Sequence, residues 1–312
     1  MKKLFLSTLI VLCALCAQGQ TGGGKNIAIS VVAPQQVEYL DAAQTTWLSK
    51  KLLDIAVKSG LSAAGRSSGV IMYPVFTIES EDVVEGGMQN LTVVSADISF
   101  VVQHLEGDIV FATHNVQVRG SGSTHQRAIN SALSNISVKD ADFSRFIATA
   151  RQKVLDYYTG NCSNIQLAVQ SATKRKNYET AIALLASIPD AAPCYPQALQ
   201  EIDCIYPEYQ KQQCNETVQK AQSLYSAHKY TAALWELYGL KIFDTGCTQE
   251  AKALSATIEA KLSAEEQREW DYMVQRDNNR TTLAEKRLET IQSIAETYYS
   301  RQITNYHYTL LY

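Results

Sequence analysis

Apolar and polar residues alternate along two neighbouring segments in the first half of the chain, residues 94–102 and 110–118. Alternation with a period of two predicts β-strands that bury one face and leave the other face polar. Two β-rich runs, 25–33 and 70–78, predict further strands. Pro74 interrupts the second run and predicts an edge strand or a bulge there.

Helical spacing of apolar residues separates and follows these strands. Residues 42–59 are apolar along one face, which carries Trp47, Leu48, Leu52, Ile55 and Ala56. Two further helices are predicted after Gly122, the second over 142–158. The order strand, helix, several strands and two helices is typical of an antiparallel or mixed sheet with helices on one face. The sequence therefore predicts an α/β module over residues 20–159 and an α+β fold class.

After residue 160 the pattern changes to helical spacing and repeats itself at a fixed offset. The sequence Asn-Tyr-x-x-Ala-Ile-x-x-Leu at 177–185 recurs as Lys-Tyr-x-x-Ala-Leu-x-x-Leu at 229–237, which is 52 positions later. Cys162 and Cys214 are related by the same 52 positions. Self-similarity at such a period predicts stacked helical hairpins, each made of a helix A, a short turn and a helix B.

We assign residues 160–301 to this helical repeat. Helix B of each unit opens with Tyr and has Ala three residues later, and in this it resembles the tetratricopeptide helix pair. The offset exceeds the usual period of about 34 residues, so each unit needs a third helix or a long loop, and residues 195–209 supply one such segment. The C-terminal tail, 302–312, is expected to pack on the body, to add as a strand to a partner, or to stay loosely docked.

The first nineteen residues have the pattern of a secretory signal peptide. Lys2 and Lys3 precede an uncharged apolar run over 4–17, which is shorter than the ~20 residues that a membrane span needs. Small residues at Ala17 and Gly19 predict cleavage before Gln20. We therefore expect an exported protein, soluble after cleavage, in the periplasm or associated with the outer membrane. Loss of the two lysines changes the formal net charge from -3 to -5.

The cysteines point to disulfides rather than to metal binding. Seven are present, and the two in the leader, Cys13 and Cys16, leave five, all between residues 162 and 247. In a helical hairpin the start of helix A lies beside the end of helix B. We place Cys162 and Cys214 at the starts of the two A helices and Cys194 and Cys247 after the B helices, so the spacing predicts the bridges Cys162–Cys194 and Cys214–Cys247. Cys204 is then a spare thiol, expected to be buried on a helix, and a Cys204–Cys214 bridge is the competing arrangement.

Composition and motifs argue against several classes of function. The chain is 46% hydrophobic and 19% charged, as in ordinary globular proteins, and its net charge of -3 provides no basic footprint for nucleic acid. The five histidines lack the spacing of helical metal ligands, and neither His-Glu-x-x-His nor Gly-x-Ser-x-Gly occurs. We therefore expect no catalytic residues, no metal and no cofactor, and we classify the protein as a non-enzyme.

One turn is a candidate site for an anion or another small ligand: Gly120, Gly122, Ser123 and Thr124. Backbone amides at a helix N-terminus can hold a phosphate, and Gly120-x-Gly122 begins like a dinucleotide-binding fingerprint. However, His125 replaces the third glycine of that fingerprint. A tight strand-to-helix turn is the structural alternative.

Residues 25–158 resemble the α/β domain of curli-secretion (CsgG-like) proteins and related small outer-membrane lipoproteins. The resemblance rests on the helix ending Ala-Val-Lys-Ser-Gly at 56–60, on the paired strands, and on Val-Arg-Gly-Ser-Gly at 118–122. The helix pairs that end in Ile188-Pro189 and then Cys194-Tyr195 also resemble exported proteins of Bacteroidetes-type bacteria. These resemblances imply an envelope compartment and an architecture.

The sequence suggests a periplasmic or envelope-associated adaptor that binds a protein partner through its helical repeat. Any membrane association would be indirect. The candidate contact residues are aromatic side chains that helix packing could leave exposed: Tyr225, Trp235, Tyr238 and Trp270. Burial in the core is the alternative for each of them. The alternative function is an exported protein that binds a glycan or another small ligand at the turn 120–124.

Overall fold

The structure is a computed structural model that describes residues 27–58, 69–85, 90–107, 109–136, 140–238, 240, 247–277 and 283–310. The predicted leader, 1–19, lies outside these residues. The α+β fold class is confirmed, because a mixed sheet in the N-terminal half is followed by a helical region. The strands are β1 (Ser30–Pro34), β2 (Val70–Val84), β3 (Leu91–His104), β4 (Val110–Gly122) and β5 (Tyr308–Leu310). The helices are α1 (Ala42–Lys58), α2 (His125–Ser134), α3 (Asp140–Lys174), α4 (Tyr178–Ala186), α5 (Tyr195–Ser226), α6 (Tyr230–Tyr238), α7 (Cys247–Glu259), α8 (Ala264–Asp277) and α9 (Leu283–Asn305).

The described strands form one sheet in the order β4-β3-β2-β1-β5. β1 and β2 are parallel, and the other neighbours are antiparallel. The tail packs on the body, because β5 pairs with β1 through Pro34 and Tyr308. β2 is an inner strand at Ile71 and Met72, where it pairs with β1, and a local edge at Pro74, as predicted. It accommodates Pro74 because β1 pairs only with Ile71 and Met72, so no ladder bond to β1 is lost at the proline.

Helices α1, α2 and α3 pack on one face of the sheet, as expected from the alternating strands. The predicted apolar face of α1 is buried at Leu48, Leu52, Ile55 and Ala56, but Trp47 is 37% exposed and does not belong to it. Part of the opposite face is also covered, since α9 packs there against the fully buried Val32 and Ile71. β1 and the start of β2 are apolar on both faces for this reason.

Polar contacts from the end of β3 fix α9 on that second face. The Glu106 carboxylate accepts hydrogen bonds from Tyr298 Oη and Gln302 Nε2, both at 3.0 Å. Burial raises the pKa of Tyr298 to about 12, so its hydroxyl remains a donor at neutral pH. His104 is buried beside Glu106 and contacts the Tyr157 ring of α3. The C-terminal helix is therefore anchored to the N-terminal sheet.

Helix α3 has 35 residues and runs through the predicted boundary between residues 159 and 160. Gly160 does not interrupt it, and its Cα faces open space. The placement of Cys162 and Cys214 at helix starts is wrong, because they lie inside α3 and α5. The first hairpin is thus the second half of α3 with α4, and the second hairpin is the second half of α5 with α6.

The two hairpins have the same turn. α4 and α6 each have nine residues, and their starts differ by 52 positions (230 minus 178). Lys176 and His228 both have a φ of 58°. The Asn177 N–H donates to the Ala172 carbonyl, and the Lys229 N–H donates to the Leu224 carbonyl, both at 2.9 Å. This is the Schellman arrangement, in which a left-handed residue closes the helix.

Both predicted disulfides are present. Cys162–Cys194 and Cys214–Cys247 each join Cα atoms 6.0 Å apart. Among the cysteines that the structure describes, Cys204 is the free thiol, as predicted, but it is exposed rather than buried. Its neighbours on α5, Ile202 and Ile205, point into the core and turn Cys204 outward.

Most of the helical region is divided between two hydrophobic cores, and a smaller cluster lies where α4 and α9 meet the sheet. One core extends from the sheet through α3 and α4 into the first half of α5. The other lies among α5, α6, α7 and α8, and it includes Cys214, Leu234, Leu237, Ile258 and Trp270. The second hairpin therefore has a core of its own.

Candidate partner-binding surface on the second helical hairpin

Helix α6 has one face in the second core and another face with aromatic side chains. Ala233, Leu234 and Leu237 are buried and face α5 and α7. Trp235 is 41% exposed, and Tyr238 is half-buried. Residues three apart lie on the same side of a helix, so Trp235 and Tyr238 share the second face.

Trp235, Tyr238 and Trp270 of α8 form a cluster that we call the aromatic trio. The centroid distances are 5.7 Å between Trp235 and Tyr238, 5.5 Å between Trp235 and Trp270, and 5.7 Å between Tyr238 and Trp270. All three contacts are edge-to-face, and each such pair contributes about 0.5–1.5 kcal/mol beyond the burial of its area. Trp270 is 6% exposed, so it is the buried member of the trio, and the other two rings pack against it.

Tyr225, the fourth predicted contact residue, lies apart from the trio. Its half-buried ring packs on Tyr230, with centroids 5.8 Å apart, where helix A meets helix B. Tyr230 Oη lies 2.9 Å from His228 Nδ1 in the turn. Tyr225 therefore closes the hairpin. The structure brings together three of the four residues that the sequence singled out.

An ion pair and a further exposed ring occur on or beside the helices that carry the trio. Lys220 and Glu236 form an ion pair at 2.6 Å between α5 and α6. Tyr272 of α8 is exposed on the same helix as Trp270. Partly exposed aromatic side chains are enriched at the centres of protein-binding surfaces.

The equivalent face of the first hairpin is covered by the chain itself. A shift of 52 positions places Trp235 on Ala183 and Tyr238 on Ala186. Ala183 is completely buried, and both alanines pack in a cluster with Ala295 and Tyr299 of α9. Sequence reasoning did not identify these two alanines. The signal was available in the overlay of the repeats, which pairs a small residue with an aromatic one at both positions.

The structure gives the turn 120–124 a packing role. A Cβ at Gly120 would lie 2.0 Å from the backbone nitrogen of Ala132, and one at Gly122 would lie 2.5 Å from the Arg127 Cβ. Both glycines are needed because α2 lies directly on β4. Thr124 is the N-cap residue of α2 and accepts from the Arg127 N–H at 3.3 Å.

The side-chain hydroxyls of this turn bond to Arg127 of α2. The Ser123 Oγ accepts from the Arg127 guanidinium at 2.8 Å.

Across the described ranges, no group of three or more His, Cys, Asp or Glu side chains is placed to hold a metal ion. No helix in those ranges is long and apolar enough to cross a membrane.

Comparisons of the chain with family models, with curated proteins and with solved structures gave no significant match.

Proposed function

We propose that this protein is a non-enzymatic adaptor of the cell envelope that binds a protein partner through the aromatic trio. The observation that carries the proposal is the partial exposure of Trp235 on a helix face that the first hairpin covers with α9. A solvent-exposed tryptophan beside a second, half-buried ring is typical of an interaction hot spot.

The partner segment that fits this face best is an amphipathic helix. On the first hairpin, the equivalent face is occupied by α9, a helix that presents Ala295 and Tyr299 four residues apart. A helix in groove is also a common mode of protein recognition, with anchors at positions i and i+4. We expect the partner helix to lie across α6, with apolar side chains against Trp235 and polar ones toward Lys220 and Glu236.

Export is the second part of the proposal. The apolar leader before Gln20 supports it. Two disulfides also favour an oxidising compartment, because such bonds are rare in the cytosol of most organisms. The proposed site of action is the periplasm or the surface of the outer membrane.

The alternative function, binding of a glycan or small ligand at the turn 120–124, has less support. Gly120 and Gly122 face α2, and the hydroxyls of Ser123 and Thr124 accept hydrogen bonds from Arg127 of that helix. Substitution of Gly122 would disturb the contact between α2 and β4, so it would not serve as a clean test of ligand binding.

Affinity capture with matched tryptophan variants tests the adaptor proposal. The tagged full-length protein is recovered from gently crosslinked native envelopes, and bound proteins are identified by mass spectrometry. Trp235→Ala should reduce recovery of a specific partner at least about tenfold, which corresponds to ~1.4 kcal/mol. Trp47→Ala is the control, because Trp47 is 37% exposed on α1, a helix that packs in the other hydrophobic core. Equal recovery with both variants would rule out the trio as the binding site.

A further inference from the structure

We infer that the outer edge of β4 is a second docking site, independent of the aromatic trio, and that it takes an extended peptide with acidic side chains as an added strand. The two edges of the described sheet differ greatly. β5 has three residues, whereas β4 has thirteen and is paired along one side only, with β3. A long strand at a sheet edge offers a row of backbone groups to another chain.

Hydrogen bonds at the end of β3 show which residues of β4 face outward. The His104 N–H donates to the Ile109 carbonyl at 2.9 Å, and the Leu105 N–H donates to the Gly69 carbonyl at 2.7 Å. The backbone N–H and C=O groups of even-numbered β3 residues therefore point toward β4, and those of odd-numbered residues point toward β2. Since Phe100 stands opposite His114, the even-numbered residues of β4 bond to β3.

The odd-numbered residues Thr113, Asn115 and Gln117 then direct their N–H and C=O groups away from the sheet. The next odd residue supports this assignment, because the Arg119 carbonyl accepts from Asn135 Nδ2 at 2.8 Å. That side-chain bond closes one end of the edge. A register shift beside Val102 closes the other end. The segment between these two points is open for pairing.

A groove runs beside this open segment. Its volume is about 490 Å³, and it lies between β4 and the first half of α3. His114 and Phe146 line it, with ring centroids 5.7 Å apart. Successive side chains of an added strand point to opposite faces, so every second side chain of the peptide would enter this groove. An edge strand beside a helix-lined groove combines backbone affinity with side-chain selection, as strand addition requires.

The charges along the groove favour an acidic peptide. Arg145 and Lys153 of α3 line it, together with Asp142, which pairs with Arg145. Two cations against one anion give the groove a positive balance. An acidic side chain of the bound strand would meet Lys153 and the exposed Arg145 at the rim. Charge complementarity of this kind sets partner choice and association rate.

Amide hydrogen exchange on the full protein tests this inference, with a synthetic peptide of alternating valine and glutamate, about six residues long, as the probe. In the free protein, the Asn115 and Gln117 amides should exchange quickly, and the His114 and Val116 amides slowly. Saturating peptide should slow the two outward amides at least about tenfold and leave the inward ones unchanged. The same peptide with every backbone nitrogen methylated should have no effect, because neither of its edges can pair with β4.

Matched variants separate backbone pairing from charge. Asn115→Pro removes an outward N–H and should abolish binding, whereas Asn115→Ala retains the N–H and should bind normally. Lys153→Glu should weaken binding about fivefold at low salt. Lys211→Glu, on the exposed side of α5, should leave binding unchanged.

Several outcomes would overturn the inference. They are the absence of protection at millimolar peptide, equal binding of a valine–lysine peptide, and binding of the methylated peptide. Dimerisation of the protein that Asn115→Pro abolishes would assign the edge to a second copy instead. None of these results depends on Trp235, so the inference and the adaptor proposal can fail separately.

Discussion

The two helical hairpins share a framework and differ on one face. Each has a nine-residue second helix, a left-handed residue in the turn and a disulfide that closes the unit. On the first hairpin, small side chains at Ala183 and Ala186 allow α9 to approach closely. On the second, Trp235 and Tyr238 occupy the same positions and remain partly open to solvent.

This difference shows how a repeat can serve two purposes. Alanine permits close helix packing, so the first hairpin is bound by a helix of its own chain and joined to the sheet. Aromatic side chains instead hold a large contact area with few rotatable bonds, which suits binding to another chain. The buried face and the turn are shared by both hairpins. The side chains on the other face, alanine in the first hairpin and aromatic in the second, determine what each hairpin contacts.

The largest expected effect comes from removing a disulfide. Each bridge closes a loop of 32 or 33 residues and contributes about 3–4 kcal/mol in the chain-entropy model. We expect the larger loss for Cys214→Ala with Cys247→Ala, because the second core lacks α9 and both sulfurs are buried in it. Near-UV circular dichroism of the tryptophans should report local unfolding there. A greater loss of stability on removal of the Cys162–Cys194 bridge would contradict the expectation that the second core depends more on its disulfide.

Exchanging side chains between the hairpins tests the comparison directly. Ala183→Trp should destabilise the protein by about 3 kcal/mol or more, since the new ring has no room under α9. Trp235→Ala should cost less, about 2 kcal/mol, because it removes two edge-to-face contacts of a ring that is partly exposed. Urea unfolding followed by far-UV circular dichroism measures both. Equal costs would mean that Trp235 is a core residue.

Acidification should weaken the packing of α9 on the first hairpin and leave the stability of the second hairpin unchanged. Burial lowers the pKa of His104, although Glu106 partly offsets this, so His104 stays neutral in the folded protein below the ordinary value of 6.5. The unfolded chain then binds more protons, and the free energy of unfolding falls as the pH drops below about 6.5. Amide exchange of α9 should accelerate there, and exchange of α6 should not. His104→Asn should remove this dependence.

The smallest effects concern the shared turn. Lys176→Gly and His228→Gly should each raise the free energy of unfolding by up to about 1 kcal/mol, because glycine adopts a positive φ without strain. The gain at residue 228 should be smaller, since the contact with Tyr230 is lost. Ala227→Gly is the control and should destabilise, because its φ is -86°. Thermal melts distinguish these signs, and a gain at only one turn would show that the two turns are not equivalent.

Local patterns predicted much of this fold. The alternation over 94–102 and 110–118 identifies β3 and β4, and the spacing of the cysteines identifies both bridges. Helical periodicity does not show where one helix ends and another begins, so the sequence pattern places a boundary at residue 160, inside the long α3. The docking of α9 and the pairing of β5 depend on contacts between distant segments, which one sequence does not reveal.

The candidate site was predicted only in part. Aromatic content identified Trp235, Tyr238 and Trp270 but grouped Tyr225 with them, because exposure depends on which helix covers which face. Helical spacing likewise does not show which face of α5 is covered, and for this reason the prediction that Cys204 is buried is wrong. The two glycines of the turn 120–124 are small for close packing of α2 on β4, and such a requirement looks the same in a sequence as a ligand-binding turn.

Site-specific photocrosslinking in living cells tests the central claim most directly. A benzophenone amino acid replaces Trp235 in one protein and Trp47 in another. We predict a discrete crosslinked species from position 235, with the crosslink mapping to an amphipathic helix of one envelope protein, and no such species from position 47. Absence of a specific product at 235, or the same products at both positions, would contradict the claim that the second hairpin presents a binding face.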